Sequence, residues 1–233
     1  MIKNGIGNFE SIIGYSFNNK ELLKLALTHS SYSNENKKIN SEDNERLEFL
    51  GDAALDLVIS AYIYRNFPDM FEGELTKLRA GVVCESGIAK MAREIRLGDF
   101  IRLGHGEETT GGRQRESILA DAFEAVIGAV YLDGGLEETK RFILGLMIPE
   151  INSVKDSFKS LDAKTHLQEF IQRQSKMPIN YIITGETGPD HDKIFTASVE
   201  HEGKLLGAGQ GKSKKEAEQD AAYNALKKLE ANI

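Results

Sequence analysis

Apolar residues recur every three or four positions through the first two thirds of the chain, as in Leu47, Leu50, Ala54, Leu57 and Val58. This spacing is the period of an α-helix with one buried face. The same region shows no persuasive alternation of apolar and polar residues, which is the period of a strand. The pattern predicts helices at residues 20–29, 42–66, 72–93 with a break near Cys84, 115–132 and 136–146.

The pattern changes at residues 151–161, where small polar residues and weak periodicity predict a linker. A helix follows, with apolar positions at Leu167, Phe170 and Ile171. Alternating residues on both sides of the turn-rich sequence GETGPDH then predict a hairpin, before a third strand and an Ala-rich helix. We predict a multidomain fold, with an all-α domain at 1–150, a linker at 151–161 and a small α+β domain of order α-β-β-β-α at 162–233.

Composition narrows the class of protein. A hydrophobic content of 40% and a charged content of 28% are ordinary for a globular protein. The single cysteine, Cys84, excludes an internal disulfide and fits a reducing compartment. No apolar stretch is long enough to span a bilayer and no secretory signal is visible, so we expect a cytoplasmic protein with no membrane partner.

The net charge of −7 argues against a basic surface over the whole protein. Residues 162–233 hold 10 basic and 11 acidic residues, so this part is not basic either. A local exception is the start of the last helix, where Lys212, Lys214 and Lys215 lie beside the exposed N–H groups of a helix N-terminus. Phosphate binding there is one interpretation, and a merely solvated helix end is the other.

Carboxylates interrupt the apolar pattern in NERLEFLGDAALD, residues 44–56. Glu48 and Asp52 are four residues apart and Glu45 is three before Glu48, so one helix face carries all three. Like charges so placed destabilise an isolated helix by about 0.2–0.5 kcal/mol per pair, which some partner should offset. We interpret Asp56 as an ordinary surface residue.

A second carboxylate pair, Asp121 and Glu124, lies in LADAFEAVIGAVYLD, which is apolar almost all round. Carboxylates that face inward from a buried helix are unfavourable unless they are paired or bind a metal. One interpretation sets this pair opposite Glu48 and Asp52 around one or two magnesium ions, which prefer oxygen ligands. The alternative, a solvated face or pairing with arginine, stays open from spacing alone. The available arginines are Arg46, Arg79 and Arg115.

Other motifs are weaker. The glycine-rich segment 104–113 predicts a loop, but it lacks the Gly-Lys-Ser/Thr ending of a phosphate-binding loop, so we expect no nucleotide cofactor. His29, in LTHSS, is interpreted as a helix-end histidine bonded to backbone rather than as a catalytic base. A carboxylate metal cluster without His or Cys ligands favours phosphodiester hydrolysis, in which the ions activate water.

Two groups of motifs resemble known families. NERLEFLGD and LADAFEAVIGAVYLD resemble ribonuclease III, while THLQEFIQ, GPDHDKIF and GKSKKEAEQDAA resemble a double-stranded RNA binding domain. The resemblance implies a magnesium-dependent endonuclease that forms a homodimer and cuts both strands of double-stranded RNA. It would leave 5′-phosphates, 3′-hydroxyls and short 3′ overhangs, in processing of ribosomal, transfer and messenger RNA.

The resemblance also implies roles for single residues. Metal binding, by Mg²⁺ or by Mn²⁺ in its place, would fall to Glu48, Asp52, Asp121 and Glu124. Asp52 and Glu124 would be the catalytic residues on which water activation most depends. Glu45 and Glu72 would support the cleft, although Glu74 competes with Glu72 for that role. Ser30 stands where many relatives have Arg, and we expect no loss of activity from it.

A domain of the second type reads the shape of A-form RNA across two minor grooves. Minor-groove contacts would come from Thr165, Gln168, Glu169 and His191, and phosphate contacts from Lys212, Lys214 and Lys215. A two-fold dimer of the first domain would supply one site per strand. Phe49, Leu50 and Leu57 fit either a core or an interface. The rival function is a double-stranded RNA binding regulator that does not cleave, in which the helical domain serves only to dimerise.

Overall fold

The computed structural model describes residues 6–36, 42–161, 163–173, 175–189 and 193–230. Two compact units divide the chain, Met1–Asn152 and Ser153–Ile233. Across the described ranges, no helix has both the length and the apolar character that crossing a membrane requires.

Helices build the first unit. The break predicted near Cys84 is confirmed, because one helix ends at Val82 and the next begins at Glu85. The segment 104–113, predicted as a loop, instead contains a short helix and part of a 3-10 turn. The helices are α1 (Ile6–Ile13), α2 (Lys20–Ala26), α3 (Ser30–Glu35), α4 (Glu45–Asn66), α5 (Glu72–Val82), α6 (Glu85–Glu94), α7 (His105–Thr109) and α8 (Glu116–Leu161), with 3-10 turns at Leu97–Asp99 and Gly112–Gln114.

The long helix α8 changes direction at Gly135, whose backbone has φ 75° and ψ −175°. Glycine reaches this left-handed region without the steric penalty that a side chain would bring. Just before the break, the Asp133 carboxylate accepts hydrogen bonds from the backbone N–H groups of Asn18 and Asn19, at 2.9 and 2.8 Å. The break therefore separates the predicted segments 115–132 and 136–146. The hydrogen bonds of Asp133 hold it against the start of α2.

Helical backbone continues past Pro149 to the end of α8, so the predicted linker at 151–161 is helical. The boundary between the two units, at Asn152 and Ser153, falls within that stretch. The domain limits 1–150 and 162–233 stay predictions.

An apolar core holds the first unit together. Phe9, Phe100 and Phe123 are at most 1% exposed, and the rings of Phe9 and Phe100 lie 4.9 Å apart between centroids. Burying a side chain of this size stabilises a fold by about 1.5–3 kcal/mol. Helix α4 contributes buried residues all along its length: Leu47, Gly51, Ala54, Leu55, Val58, Ile59 and Ile63.

The second unit has the predicted order α-β-β-β-α. Its elements are α9 (Ala163–Gln172), β1 (Ile179–Thr187), β2 (Ile194–His201), β3 (Lys204–Gly211) and α10 (Lys214–Glu230). The strands form an antiparallel sheet of order β1-β2-β3. Alanines on α10 and Leu167 and Ile171 on α9 pack against Ala197 and Val199 of β2, which makes a small core between the helices and one face of the sheet.

Candidate active site

Asn44 lies directly before α4 and anchors its start. Its side chain is buried and its Nδ2 donates to the Ala26 carbonyl at 3.3 Å. Its backbone N–H donates to the Thr28 carbonyl at 2.9 Å, and the neighbouring Leu27 carbonyl accepts from Arg102 N–H at 2.7 Å. The first turn of α4, which carries Glu45 and Glu48, therefore starts from an anchored backbone.

Two glycines allow α4 and α8 to cross with almost no gap. A Cβ built on Gly51 would lie 1.7 Å from the carbonyl oxygen of Glu124, and one built on Gly128 would lie 2.2 Å from the carbonyl oxygen of Leu47. No side chain fits at either position, since such contacts are far inside van der Waals distance. The crossing brings the helix turns that carry Glu48 and Asp52 against the turn that carries Glu124.

The carboxylates of the two helices act on one another. Burial raises the pKa of Glu124 to about 8, and the negative charges of Asp52, Glu48, Asp121 and Asp56 add to the rise. An acid is harder to ionise where water is scarce and where like charges are close. Glu124 therefore holds its proton near neutral pH when no cation is bound.

Glu48 and Asp121 show the same effect. Burial raises the pKa of Glu48 above its ordinary value, with added rises from Asp121, Glu45 and Asp52. Burial also raises the pKa of Asp121, although the nearby His29 lowers it in part. Glu48, Asp52, Asp121 and Glu124, which we call the carboxylate cluster, thus share one electrostatic environment with Glu45.

Arginine does not neutralise this cluster. Arg79 donates to the Ser60 hydroxyl at 3.2 Å, and Arg115 pairs with Glu107 at 2.8 Å. Within the part of the chain that the structure describes, no ion pair or hydrogen bond reaches a side chain of the carboxylate cluster. The alternative of arginine pairing, which spacing left open, is therefore wrong for the described residues.

The donor set of the carboxylate cluster fits a hard divalent cation. All its ligand atoms are carboxylate oxygens, and a cation would relieve the mutual repulsion that adds to the effect of burial on the pKa of Glu124. No three His, Cys, Asp or Glu side chains among the described residues are already arranged so that they could hold one ion. Chelation would therefore require these side chains to turn toward a common point.

The predicted supporting residues are placed differently from each other. Glu45 is exposed and its charge acts on both Glu48 and Asp121. Glu72 is exposed on the first turn of α5, accepts from the Thr76 hydroxyl at 3.0 Å and lines a groove of about 490 Å³ beside Tyr64. The structure thus brings Glu45, but not Glu72, to the carboxylate cluster of the same chain.

Glu74, the competitor of Glu72, has a structural role. Its carboxylate accepts a hydrogen bond from the backbone N–H of Phe71 at 2.7 Å and so caps the start of α5. His29 is also a cap, because its Nδ1 accepts from the Ser31 N–H at 3.2 Å at the start of α3. The interpretation of His29 as a helix-end histidine is confirmed.

Sequence reasoning missed two features of the site. Asp56 is half-buried and its charge raises the pKa of Glu124, so its interpretation as an ordinary surface residue is wrong. Its spacing of four residues from Asp52 was the available signal. The close crossing at Gly51 and Gly128 was also missed, although a small residue within an otherwise apolar helix is a usual sign of close packing.

Family models match both units. Residues 19–151 match the model described as Ribonuclease-III-like, and residues 163–229 match the model described as Double-stranded RNA binding motif. The chain belongs to the ribonuclease III family. The fold class predicted from sequence, a helical nuclease domain followed by an α-β-β-β-α domain, is confirmed.

Ribonuclease III relatives match nearly the whole chain. The ribonuclease 3 of Desulforamulus reducens is 53% identical over 94% of this chain and 89% of its own length. The ribonuclease 3 of Listeria monocytogenes is 48% identical over 93% of this chain and 94% of its own. A solved nuclease domain of ribonuclease III from Campylobacter jejuni, described as flexible in a region involved in dimer formation, has a TM-score of 0.58 and 46% identity, and covers 61% of this chain and 96% of that chain.

The RNA-binding residues predicted for this ribonuclease III chain lie on exposed surface where they are described. Thr165, Gln168 and Glu169 are exposed on α9, and Leu167 of the same helix is buried. Lys212, Lys214 and Lys215 are exposed around the start of α10. His191 lies outside the described residues. Their contacts with RNA stay predictions.

Proposed function

We propose that this ribonuclease III chain hydrolyses both strands of double-stranded RNA with magnesium at the carboxylate cluster. Its family supports the coarser statement, an endoribonuclease that acts on double-stranded RNA. Glu48, Asp52, Asp121 and Glu124 would bind Mg²⁺, with Mn²⁺ able to replace it. The observation that carries the proposal is that Glu48, Asp121 and Glu124, on two crossing helices, have raised pKa values and no arginine partner among the described residues.

The chemistry follows from charge. When bound, a divalent ion makes water a better nucleophile and neutralises charge on the phosphodiester in the transition state. Glu124, protonated near neutral pH without a cation, would release its proton as the cluster is neutralised and would then orient water through its carboxylate oxygens. Asp52, exposed and directly after Gly51 in α4, would share this role. The products would carry 5′-phosphates, 3′-hydroxyls and short 3′ overhangs.

The second unit supports binding of the duplex. Exposed Thr165, Gln168 and Glu169 on α9 would meet a minor groove through 2′-hydroxyls, and His191 the next one. The exposed lysines 212, 214 and 215 would contact phosphates near the N-terminus of α10. These clustered lysine side chains, on a nearly neutral domain, would thus bind RNA although the whole chain has a net charge of −7.

A homodimer would place two carboxylate clusters on one duplex. Along α4, Phe49, Leu57 and Tyr64 are 80%, 57% and 72% exposed, while Leu50 is partly buried. Large apolar side chains exposed in a row on one helix are typical of a protein interface. Glu72 lines the groove beside this row, so its supporting role would depend on the dimer. We place the enzyme in the cytoplasm, acting on ribosomal, transfer and messenger RNA precursors.

A cleavage assay tests the catalytic proposal. The purified chain with Mg²⁺ should cut a long RNA duplex on both strands, and Glu124→Gln should bind the duplex without cutting it. Glu94→Gln, an exposed change on α6, is the matched control and should cut normally. The non-cleaving regulator would be favoured instead if the wild-type chain bound the duplex equally in chelator and cut it with neither Mg²⁺ nor Mn²⁺.

Sedimentation tests the dimer. Phe49→Glu should convert a dimer to a monomer, because it places a charge on the most exposed apolar position of α4. Leu205→Glu, at a residue 63% exposed in the second unit, is the matched control and should leave the dimer intact. A wild-type chain that sediments as a monomer at micromolar concentration would contradict the proposal.

A further inference from the structure

Three polar side chains form a row on one face of α10. Glu216, Asp220 and Asn224 are four residues apart, so each lies about 6 Å further along the helix axis than the one before it. The row runs beside β3, an edge strand, in which alternate residues direct backbone groups away from β2. Residues two apart in a strand are separated by about 6.6 Å, so the spacing of the row matches the spacing of these backbone groups.

The row bonds the edge of β3, and the residue directly after that strand, at three successive points. The three hydrogen bonds, each 2.9 Å long, run from Lys212 N–H to Glu216 Oε2, from Gln210 N–H to Asp220 Oδ2, and from Asn224 Nδ2 to the Ala208 carbonyl oxygen. Positions on the helix rise by four while positions on the strand fall by two, as expected for two elements that run in opposite directions. We call these three bonds the edge ladder.

The helix and the strand also approach closely through their backbones. A Cβ built on Gly209 would lie 2.2 Å from the backbone N of Ala221, and one built on Gly207 would lie 2.6 Å from the carbonyl oxygen of Ala221. These distances are far inside van der Waals contact, so no side chain fits at either glycine. The close approach fixes which face of α10 meets the sheet, and the edge ladder fixes how far along β3 the helix lies.

We propose that Asp220 and Asn224 are positioning residues for duplex binding, because the edge ladder sets where α10 presents Lys214 and Lys215. The inference rests on the proposed phosphate contacts of these lysines. Both lysines lie in the first turn of α10, directly before Glu216 of the edge ladder. A slip of α10 by one turn would move them by about 5.4 Å, which exceeds the length of about 3 Å of a hydrogen bond to a phosphate.

The sign of the effect separates positioning from charge. Asp220 is acidic and belongs to a unit that is proposed to bind a polyanion, so removal of its charge alone should tighten binding. Loss of a hydrogen bond that only stabilises the unit should lower the unfolding temperature and leave the affinity of the folded chain unchanged. Weaker duplex binding by a folded Asp220→Ala variant is therefore the result that positioning predicts.

Fluorescence anisotropy of the full chain on a short RNA duplex in chelator tests the inference, with thermal unfolding to verify the fold. Asp220→Ala should weaken binding by about three- to fivefold, a part of the loss of about tenfold expected without Lys214 and Lys215. Asp220→Asn keeps an oxygen that can accept from Gln210 N–H and should bind at least as tightly as wild type. Glu200→Ala is the matched control and should not weaken binding, because the side chain of this β2 residue forms no hydrogen bond or ion pair among the described residues.

A double-mutant cycle tests whether Asp220 acts through the lysines. In a chain that carries Lys214→Ala and Lys215→Ala, Asp220→Ala should cause little further loss, since the effects of residues that act together are not additive. Equal losses in both backgrounds would mean that Asp220 acts elsewhere and would overturn the inference. If Asp220→Ala does not fold, Asn224→Ala carries the same test, because it removes the next bond of the edge ladder without a change in charge and should also weaken binding.

The outcomes separate this inference from the proposed phosphate contacts. If Asp220→Ala binds as tightly as wild type while the double lysine variant is weakened, the role of the edge ladder is wrong and the lysine contacts stand. If Asp220→Asn binds as weakly as Asp220→Ala, the charge rather than the hydrogen bond matters and the inference is also wrong. If the double lysine variant itself binds as tightly as wild type, the phosphate contacts are wrong, and so is the inference that rests on them.

Discussion

The two units of this ribonuclease III carry the charges of their candidate sites in opposite surroundings. In the first unit, acidic side chains meet where two helix backbones nearly touch, and the pKa of Glu124 rises to about 8. In the second unit, Lys212, Lys214 and Lys215 are exposed at a helix start. The energy of a half-buried charge depends on the packing around it, whereas the interactions of an exposed charge are screened by water. Substitutions should therefore have large effects in the first unit and graded effects in the second.

The largest effect is expected from Glu124→Gln, which keeps the shape of the side chain and removes its charge. Cleavage should fall by at least about a thousandfold, since the group that we propose to bind metal and orient water is lost. Rates on a defined duplex at saturating Mg²⁺ would measure this. A variant that keeps more than a tenth of wild-type activity would contradict the proposed role of Glu124 in cleavage.

The same substitution should stabilise the metal-free protein at high pH. In the wild type, the folded-state pKa of about 8 lies above the ordinary value of 4.5, so stability is fully present below about pH 4.5 and is lost as pH rises through about 8. The loss is about 1–2 kcal/mol after allowance for solvent screening. Thermal unfolding in chelator between pH 5.5 and 9 should show a steeper decline for wild type than for Glu124→Gln.

Gly128→Ala should separate the crossing helices. A Cβ would meet the Leu47 carbonyl oxygen at 2.2 Å, so we expect a loss of about 2–4 kcal/mol in stability and a fall of about a hundredfold in cleavage. Gly145→Ala is the matched control in the same helix, because its Cβ would meet nothing within 4 Å. That change should stabilise the chain by about 0.5–1 kcal/mol. Equal behaviour of the two variants in unfolding and cleavage would contradict the role of the crossing.

A graded effect is expected from Lys214→Ala with Lys215→Ala in the second unit. Duplex binding should weaken by about tenfold without sequence preference, and the slope of log affinity against log salt should become shallower by about two. Lys176→Ala with Lys204→Ala removes two exposed charges of the same unit elsewhere and is the control. Fluorescence anisotropy at several salt concentrations would show whether the two double variants differ in duplex affinity and in its salt dependence.

The smallest effect is expected from Ser213→Ala. The Ser213 hydroxyl accepts from the Glu216 N–H at 3.2 Å and so caps α10. Loss of such a cap destabilises a helix by about 1 kcal/mol. Unfolding of the chain should shift slightly, with cleavage at saturating duplex near the wild-type rate. A tenfold fall in that rate would mean that the start of α10 does more than present charge.

Sequence patterns predicted most of the fold. Helical periodicity located α4, the break between α5 and α6, and both parts of α8. Short helices such as α1 and α7 were missed because a few turns carry too little periodicity to recognise. Weak periodicity predicts a linker at 151–161, yet the backbone of this stretch is helical.

The site was predictable in part. Spacing alone placed Glu48 with Asp52 and Asp121 with Glu124, each pair on one helix face. Spacing could not show that the two faces meet, because that depends on how the helices cross. Spacing also could not show that the charge of Asp56 acts on Glu124, because Glu124 lies on another helix.

The sequence by itself determined the two-part organisation, the carboxylate pairs and the exposed lysines, because each depends on residues close together in the chain. The tertiary structure decided which faces meet, through the close approach at Gly51 and Gly128. It also decided that Glu74 and His29 cap helices and that Asp56 joins the electrostatic environment of Glu124. The physical reason is that burial and electrostatic coupling depend on distances through space, which local periodicity does not encode.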